Sequence, residues 1–161
     1  MSERLTHLDD SGRARMVDVG DKPVTTREAT ARGRIRMAQA TFARALSGDT
    51  PKGDIRAVAE IAGVMAGKRT SDLIPLCHPL PLSSLKVAVA PDEAGAAFVV
   101  TACAKTNGQT GVEMEALTAV SITCLAIYDM LKAIDRSMVI EDIALISKSG
   151  GASGDYVRST P

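Results

Sequence analysis

"SSLKVAVAPDEAGAAFVVTACAKT", residues 83–106, decides how the chain folds. Apolar side chains alternate through Leu85, Val87 and Val89, "PDEAG" (91–95) interrupts, and the apolar run "GAAFVVTACAKT" (95–106) follows. Two such runs joined by a short turn predict an antiparallel β-hairpin. Downstream lies "TGVEMEALTAVSITCLAIYDMLKAI" (110–134), in which Leu117, Val120, Cys124, Ile127, Leu131 and Ile134 recur every three or four positions. That spacing predicts one long helix over 111–134. Upstream, "PKGDIRAVAEIAGVMAGKRT" (51–70) predicts a second helix, with Asp54 as N-cap and Lys68-Arg69 in its last turn. Its stripe of Ile55, Ala59, Ala62 and Met65/Ala66 is narrow and suits close packing.

Working outward, "MVIEDIALISKSGG" (138–151) reads as a closing strand, and "AQATFARALSG" (38–48) as a short helix stopped by Gly48. "MVDVGDKPVTTREATARGRIRM" (16–37) reads as short β-like pieces with Val17 and Val19 on one face. Pro75, Pro79 and Pro81 punctuate an extended segment before the hairpin. Residues 1–14 are polar and read as a mobile arm, and 149–161 as a Gly/Ser-rich tail. The order is β-β-α-α-β-β-α-β. Its later part, α-β-β-α-β, predicts a ferredoxin-like α+β sandwich, an antiparallel sheet with helices packed on one face, as a single domain over 1–161.

The 161 residues suffice for one domain with a sizeable core. With 45% hydrophobic and 24% charged residues the composition is globular. Lys+Arg and Asp+Glu both number 19, so no net field draws nucleic acid or a membrane. Phe42, Phe98, Tyr128 and Tyr156 are the only aromatics, which leaves no stacking platform for RNA. Cys77, Cys103 and Cys124 are odd in number and widely spaced, so a reducing, cytoplasmic setting is expected. The start "MSERLTHLDDSG" lacks the apolar core of a signal peptide, and the run 116–127 is too short to span a bilayer.

Any anion site must therefore come from local clustering. Lys52, Lys68, Arg69, Lys105, Lys132 and Lys148 sit at element ends or beside Gly and Thr, where backbone N–H groups can add to a lysine's hold on phosphate. Taken singly, each reads more readily as a solvated surface cation. Cys77-His78 suggests a nucleophile pair or metal ligands, but neighbours in an extended segment face apart, and no CxxC spacing accompanies them. No metal site is expected. In the long helix, Glu113 and Glu115 stand in the first turn, where carboxylates favour the dipole, and Asp129 with Lys132 makes an i,i+3 pair. Glu115 and Asp129 share a side of that helix, but fourteen residues at ~1.5 Å each hold them on the order of 20 Å apart. Either the two ends serve different purposes, or a second chain completes a site.

The blocks "MVDV" (16–19), "KGD" (52–54), "AGKRTSDLIPLCHPL" (66–80), "TGVEMEALTA" (110–119), "YDM-K" (128–132) and "KSGG-SGD" (148–155) occur in order along nearly the whole chain. In these the chain resembles the cyclic pyranopterin monophosphate synthase family, the molybdenum cofactor biosynthesis protein C family. The resemblance implies conversion of (8S)-3′,8-cyclo-7,8-dihydroguanosine 5′-triphosphate to cyclic pyranopterin monophosphate with release of pyrophosphate. It also implies a homohexamer, a trimer of dimers, with active sites at subunit interfaces. By position it assigns Lys52, Asp129 and Lys132 to catalysis. Leu76, Cys77, His78, Glu113, Met114, Glu115, Lys68 and Lys148 are assigned to substrate binding. Magnesium would suit the triphosphate, though no cofactor is demanded by the residues. Ala152 stands where the family carries a basic residue, which implies a weaker phosphate grip in that loop. The alternative is a phosphate-ligand binding or regulatory module on the same fold.

Overall fold

The computed structural model describes residues 11–48 and 53–159. The elements are β1 (Thr25–Arg36), α1 (Gln39–Ser47), α2 (Ile55–Gly67), the single turn α3 (Thr70–Leu73), β2 (Leu82–Asp92), β3 (Ala97–Gly108), α4 (Glu113–Leu131), β4 (Val139–Ser149) and β5 (Tyr156–Val157). All strand pairs are antiparallel in the order β2-β3-β1-β4-β5. The hairpin of residues 83–106 forms as read: β2 and β3 run in register from Ser84↔Lys105 to Asp92↔Ala97, and Gly95 N donates to Asp92 Oδ1 at 3.1 Å in the turn.

The period of two sorts the side chains between faces. On β1 and β3, Ala29, Ala31, Ile35, Phe98, Val100, Ala102 and Ala104 are buried beneath the helices. Their neighbours Glu28, Thr30, Arg34, Thr101, Cys103 and Lys105 are half-buried on the opposite, polar face. Helix α4 lies on the apolar face with Ala116, Ala119, Val120, Cys124, Ile127 and Leu131 fully buried. Helix α2 packs on α4 and on β2. So α4 is buried on two sides, and Glu115 and Thr123, off the sheet-facing stripe, are buried as well.

With so few aromatics, the layers must come close to exclude water, and small residues permit it. A Cβ on Gly63 would collide with Thr123 and lie 2.9 Å from the Ala119 carbonyl oxygen; one on Gly67 would lie 3.2 Å from that of Glu115. Val120 is seated over Gly33, which interrupts the β1–β4 register. The one aromatic pair, Phe42 against Phe98 with centroids 5.3 Å apart, ties α1 to the sheet. Beyond the end of α4, Asp135 accepts from Ala38 N (3.0 Å), Ser137 N (2.8 Å) and the Ser137 hydroxyl (2.6 Å), fixing the helix exit to the start of α1. The Ser137 hydroxyl, followed by the Ala38 N–H, lowers the Asp135 carboxyl pKa to about 2.

Four boundaries differ from the sequence reading. Residues 16–24 form no strand: Gly20, Pro23 and a Lys22 N to Val19 O turn break the run, and sheet pairing begins at Thr25. Helix α2 stops at Gly67, and α3 inserts a helical turn into the expected extended segment before Pro75 ends it. Helix α4 stops at Leu131, leaving Ile134 43% exposed. Within the expected tail, β5 pairs with β4 at Ser147↔Val157 and Lys148↔Tyr156. Of the expected arm, residues 1–10 lie outside the described residues. At 19 residues with mean hydropathy 1.4, α4 is long and apolar enough to cross a membrane by length and composition. Its role here is the centre of a two-layer core.

Gly63→Ala is expected to cost about 2 kcal/mol, because the new methyl meets helix backbone that cannot retreat. A lowered thermal midpoint checks this, and an unchanged one would refute the close-packing account.

Candidate functional site

A cleft opens where the first turn of α4 meets the loop after β3, the end of β4 and the 76–80 segment. It has two joined parts. Lys22, Arg27, Glu28, Gln109, Lys148, Gly150 and Ser153 line the polar part. Val17, Val19, Leu76, Cys77, His78, Leu80, Met114 and Glu115 line the more apolar part. Lys22, Thr110, Gly111 and Glu113 border both.

The polar part rests on Arg27. Its side chain points to the helix side of β1, in the same register as Ala29 and Ala31, and is only 7% exposed. Arg27 Nε donates to Gly108 O and Nη2 to Gln109 O, both at 3.2 Å. Carbonyl partners orient the guanidinium but leave its charge uncancelled, which suits an anion. Gly150 and Gly151, at φ 89° and 83°, run so close to Arg27 that a side chain on Gly151 would strike the guanidinium. Lys148, the one cation of β4, pairs with Glu113 at 3.0 Å and also donates to Ser153 Oγ at 3.2 Å. Helix α4 begins with no side chain capping its N-terminus. Its first-turn N–H groups add positive potential at the cleft.

The second part is held by two ties to the segment before β1. His78 Nε2 lies 2.8 Å from Val17 O, and Gln109 Nε2 donates to Gly20 O at 2.8 Å. A carbonyl oxygen can only accept, so a neutral His78 carries its proton on Nε2 and presents Nδ1 as an acceptor. Burial, then the Glu115 charge, raises the Cys77 pKa, so it is a thiol rather than a thiolate. This argues against the nucleophile reading of Cys77-His78. Glu115 is 4% exposed, and burial raises its carboxyl pKa, with the Glu113 charge adding to the shift.

The structure thus gathers Leu76, Cys77, His78, Glu113, Met114, Glu115 and Lys148 around one cleft. It leaves others apart. Lys68 caps the C-terminus of α2, exposed and outside the cleft lining. Asp129 and Lys132 pair at 2.6 Å with side chains 59% and 55% exposed, at the far end of α4. Lys52 lies outside the described residues. Ala152 is exposed in the loop beside the polar part. Lys22, Arg27, Gln109 and Thr110 were not singled out from the sequence. For Arg27 a signal existed: in "Arg27-Ala29-Ala31-Gly33-Ile35" a cation occupies the core-facing register of a strand, where an unpaired charge needs a reason. Among the described residues no three His, Cys, Asp or Glu side chains gather as metal ligands.

Comparison with known proteins adds an independent finding. A profile of the MoaC family matches residues 16–151. A protein of Chloroflexus aggregans named cyclic pyranopterin monophosphate synthase is 60% identical over 156 residues, covering 97% of this chain and 94% of its own. One of that name from Brucella ovis is 56% identical over 161 residues, covering 100% and 98%.

Glu115 also has a measurable cost. Its pKa is raised on folding, so the penalty is absent below the ordinary carboxylate value of 4.5, grows as pH rises from there to the folded value and is complete above it. Glu115→Gln is therefore expected to melt above the wild type at pH 8, with the gain fading toward pH 4.5. A gain independent of pH would contradict a buried carboxylate.

Proposed function

The chain belongs to the MoaC family, and from that premise we propose that it converts the 3′,8-cyclised dihydroguanosine triphosphate to cyclic pyranopterin monophosphate. The observation that carries this reading is the two-part cleft, cationic at one end and walled by carboxylates and imidazole at the other.

In this reading Arg27, Lys22 and Lys148 take the triphosphate. Positioning and charge stabilisation supply most of the rate in phosphoryl transfer, and an oriented guanidinium meets both needs. A substrate hydroxyl oxygen attacks the α-phosphorus and loses its proton to water, the bond to the bridging oxygen breaks, and pyrophosphate leaves with that electron pair. Glu113, Glu115 and His78 Nδ1 accept from the N–H edge of the guanine-derived ring, while Leu76, Cys77 and Met114 flank it. Lys68 contacts phosphate from outside the cleft. Any Mg2+ arrives with the triphosphate as part of the substrate.

Lys52, Asp129 and Lys132 supply the proton transfers of ring opening and closure. Asp129 and Lys132 stand about 24 and 28 Å from Glu113 along α4, too far to serve the same chain's cleft. They act in the cleft of a neighbouring subunit in a homohexamer. An apolar stripe favours assembly: Val58, Ile61 and Met65 on α2 are 47%, 62% and 53% exposed, and Leu125 on α4 is 52% exposed. Three free cysteines fit a cytoplasmic setting.

Purified protein given the cyclised nucleotide is expected to release pyrophosphate and cyclic pyranopterin monophosphate in equal amounts. Nucleotide binding without pyrophosphate release would point instead to a binding module. Lys52→Ala, Asp129→Ala and Lys132→Ala are each expected to slow turnover by about 100-fold or more, with the far-UV spectrum retained. Rates near wild type in all three would remove the catalytic assignment.

A further inference from the structure

Glu113 borders both parts of the cleft, and its position is unusual for a ring-binding group. Its carboxylate is folded back over Gly111 and pairs with Lys148 at 3.0 Å, so the lysine of the phosphate end already holds an anion. Gly111 makes this possible: a Cβ there would collide with the Glu113 carboxyl group. On the other side Glu113 faces the part containing Glu115, whose pKa the Glu113 charge helps to raise. Turning toward Glu115 brings two carboxylates together, which is unfavourable unless N–H donors lie between them. Two conditions therefore govern the turn: Lys148 must be taken by another anion, and a donor-rich edge must be present.

We propose that Glu113 couples the two ends of the cleft. Bound phosphate takes Lys148 from Glu113, and the released carboxylate turns to the ring end and accepts N–H bonds from a guanine-like edge. The inference rests on the phosphate and ring assignments above. It adds a selection rule: a ligand carrying both phosphate and the ring is held better than the separate parts imply, and either part alone is held poorly.

The probes are inorganic pyrophosphate and guanosine, titrated by calorimetry into the full-length protein in its natural oligomeric state. In the wild type, saturating pyrophosphate is expected to tighten guanosine binding about fivefold or more. Gly111→Ala keeps every charge but forces the carboxylate off Lys148, so pyrophosphate is expected to bind several-fold tighter than to the wild type and the coupling to shrink. Glu113→Gln is expected to tighten pyrophosphate similarly and abolish the coupling. Glu28→Gln removes a carboxylate at the edge of the cavity, but this side chain lies on the opposite face of the sheet and pairs with Lys105 at 2.6 Å, so it should leave the coupling intact.

Guanosine affinity indifferent to pyrophosphate in the wild type, or no guanosine binding at all, overturns the proposal. So does coupling that stays at the wild-type level in Gly111→Ala and Glu113→Gln, or a pyrophosphate gain in Glu28→Gln with none in Gly111→Ala. Product formation from the cyclised nucleotide is read separately. Turnover without coupling removes this inference alone, and coupling without turnover removes the proposed activity alone.

Discussion

The rigid length of α4, clamped between the sheet and α2, sets the terms for everything else. A helix advances ~1.5 Å per residue whatever its sequence, so Glu113 and Asp129 stay about 24 Å apart. The clamp is tight because Gly63, Gly67 and Gly33 admit their neighbours where any side chain would obstruct. A core rich in alanine and valine gains less per residue from area, so this near contact of layers matters to its stability. The cost falls on adaptability: α4 cannot bend to bring its ends together, and one chain presents two separate polar ends.

At its N-terminal end the cleft sets cations against carboxylates in nearly equal number. Arg27 is oriented by carbonyls and keeps its charge, whereas Lys148 is neutralised by Glu113 and Lys105 by Glu28 outside the cleft. Glu115 is buried at an electrostatic cost that packing alone would not select. Such a cost has a use when a ligand brings N–H groups to the carboxylate. Cys77, beside it, is held as a neutral thiol and acts as a wall.

Much of this was legible in the sequence, for stated reasons. The hairpin and both long helices follow from period-two and i+3/i+4 patterns over enough residues to be unambiguous. Asp54 caps α2 as read, accepting from Arg56 N and Ala57 N. The missed parts depend on tertiary context. Val17 and Val19 alternate like strand residues, but Val17 O bonds His78 and Val19 O closes a turn with Lys22 N rather than pairing with a neighbouring strand. The turn α3 is too short for periodicity to register. Glu115 shares Asp129's side of α4, and its burial there depends on α2, whose Gly67 closely approaches the Glu115 carbonyl. The spacing of Asp129 and Lys132 reads as a surface ion pair, and within one chain that is what they make. Only the separation of the two ends, joined to the family resemblance, pointed to a second subunit.

Subunit complementation tests that central claim most directly. His78→Ala and Lys132→Ala damage opposite ends of the shared site, and each is inactive alone in this account. Mixed oligomers formed by co-expression should recover turnover at about a quarter of wild type, the fraction of sites drawing both intact ends from different chains. Mixed oligomers as inactive as either parent would contradict a site built from two subunits.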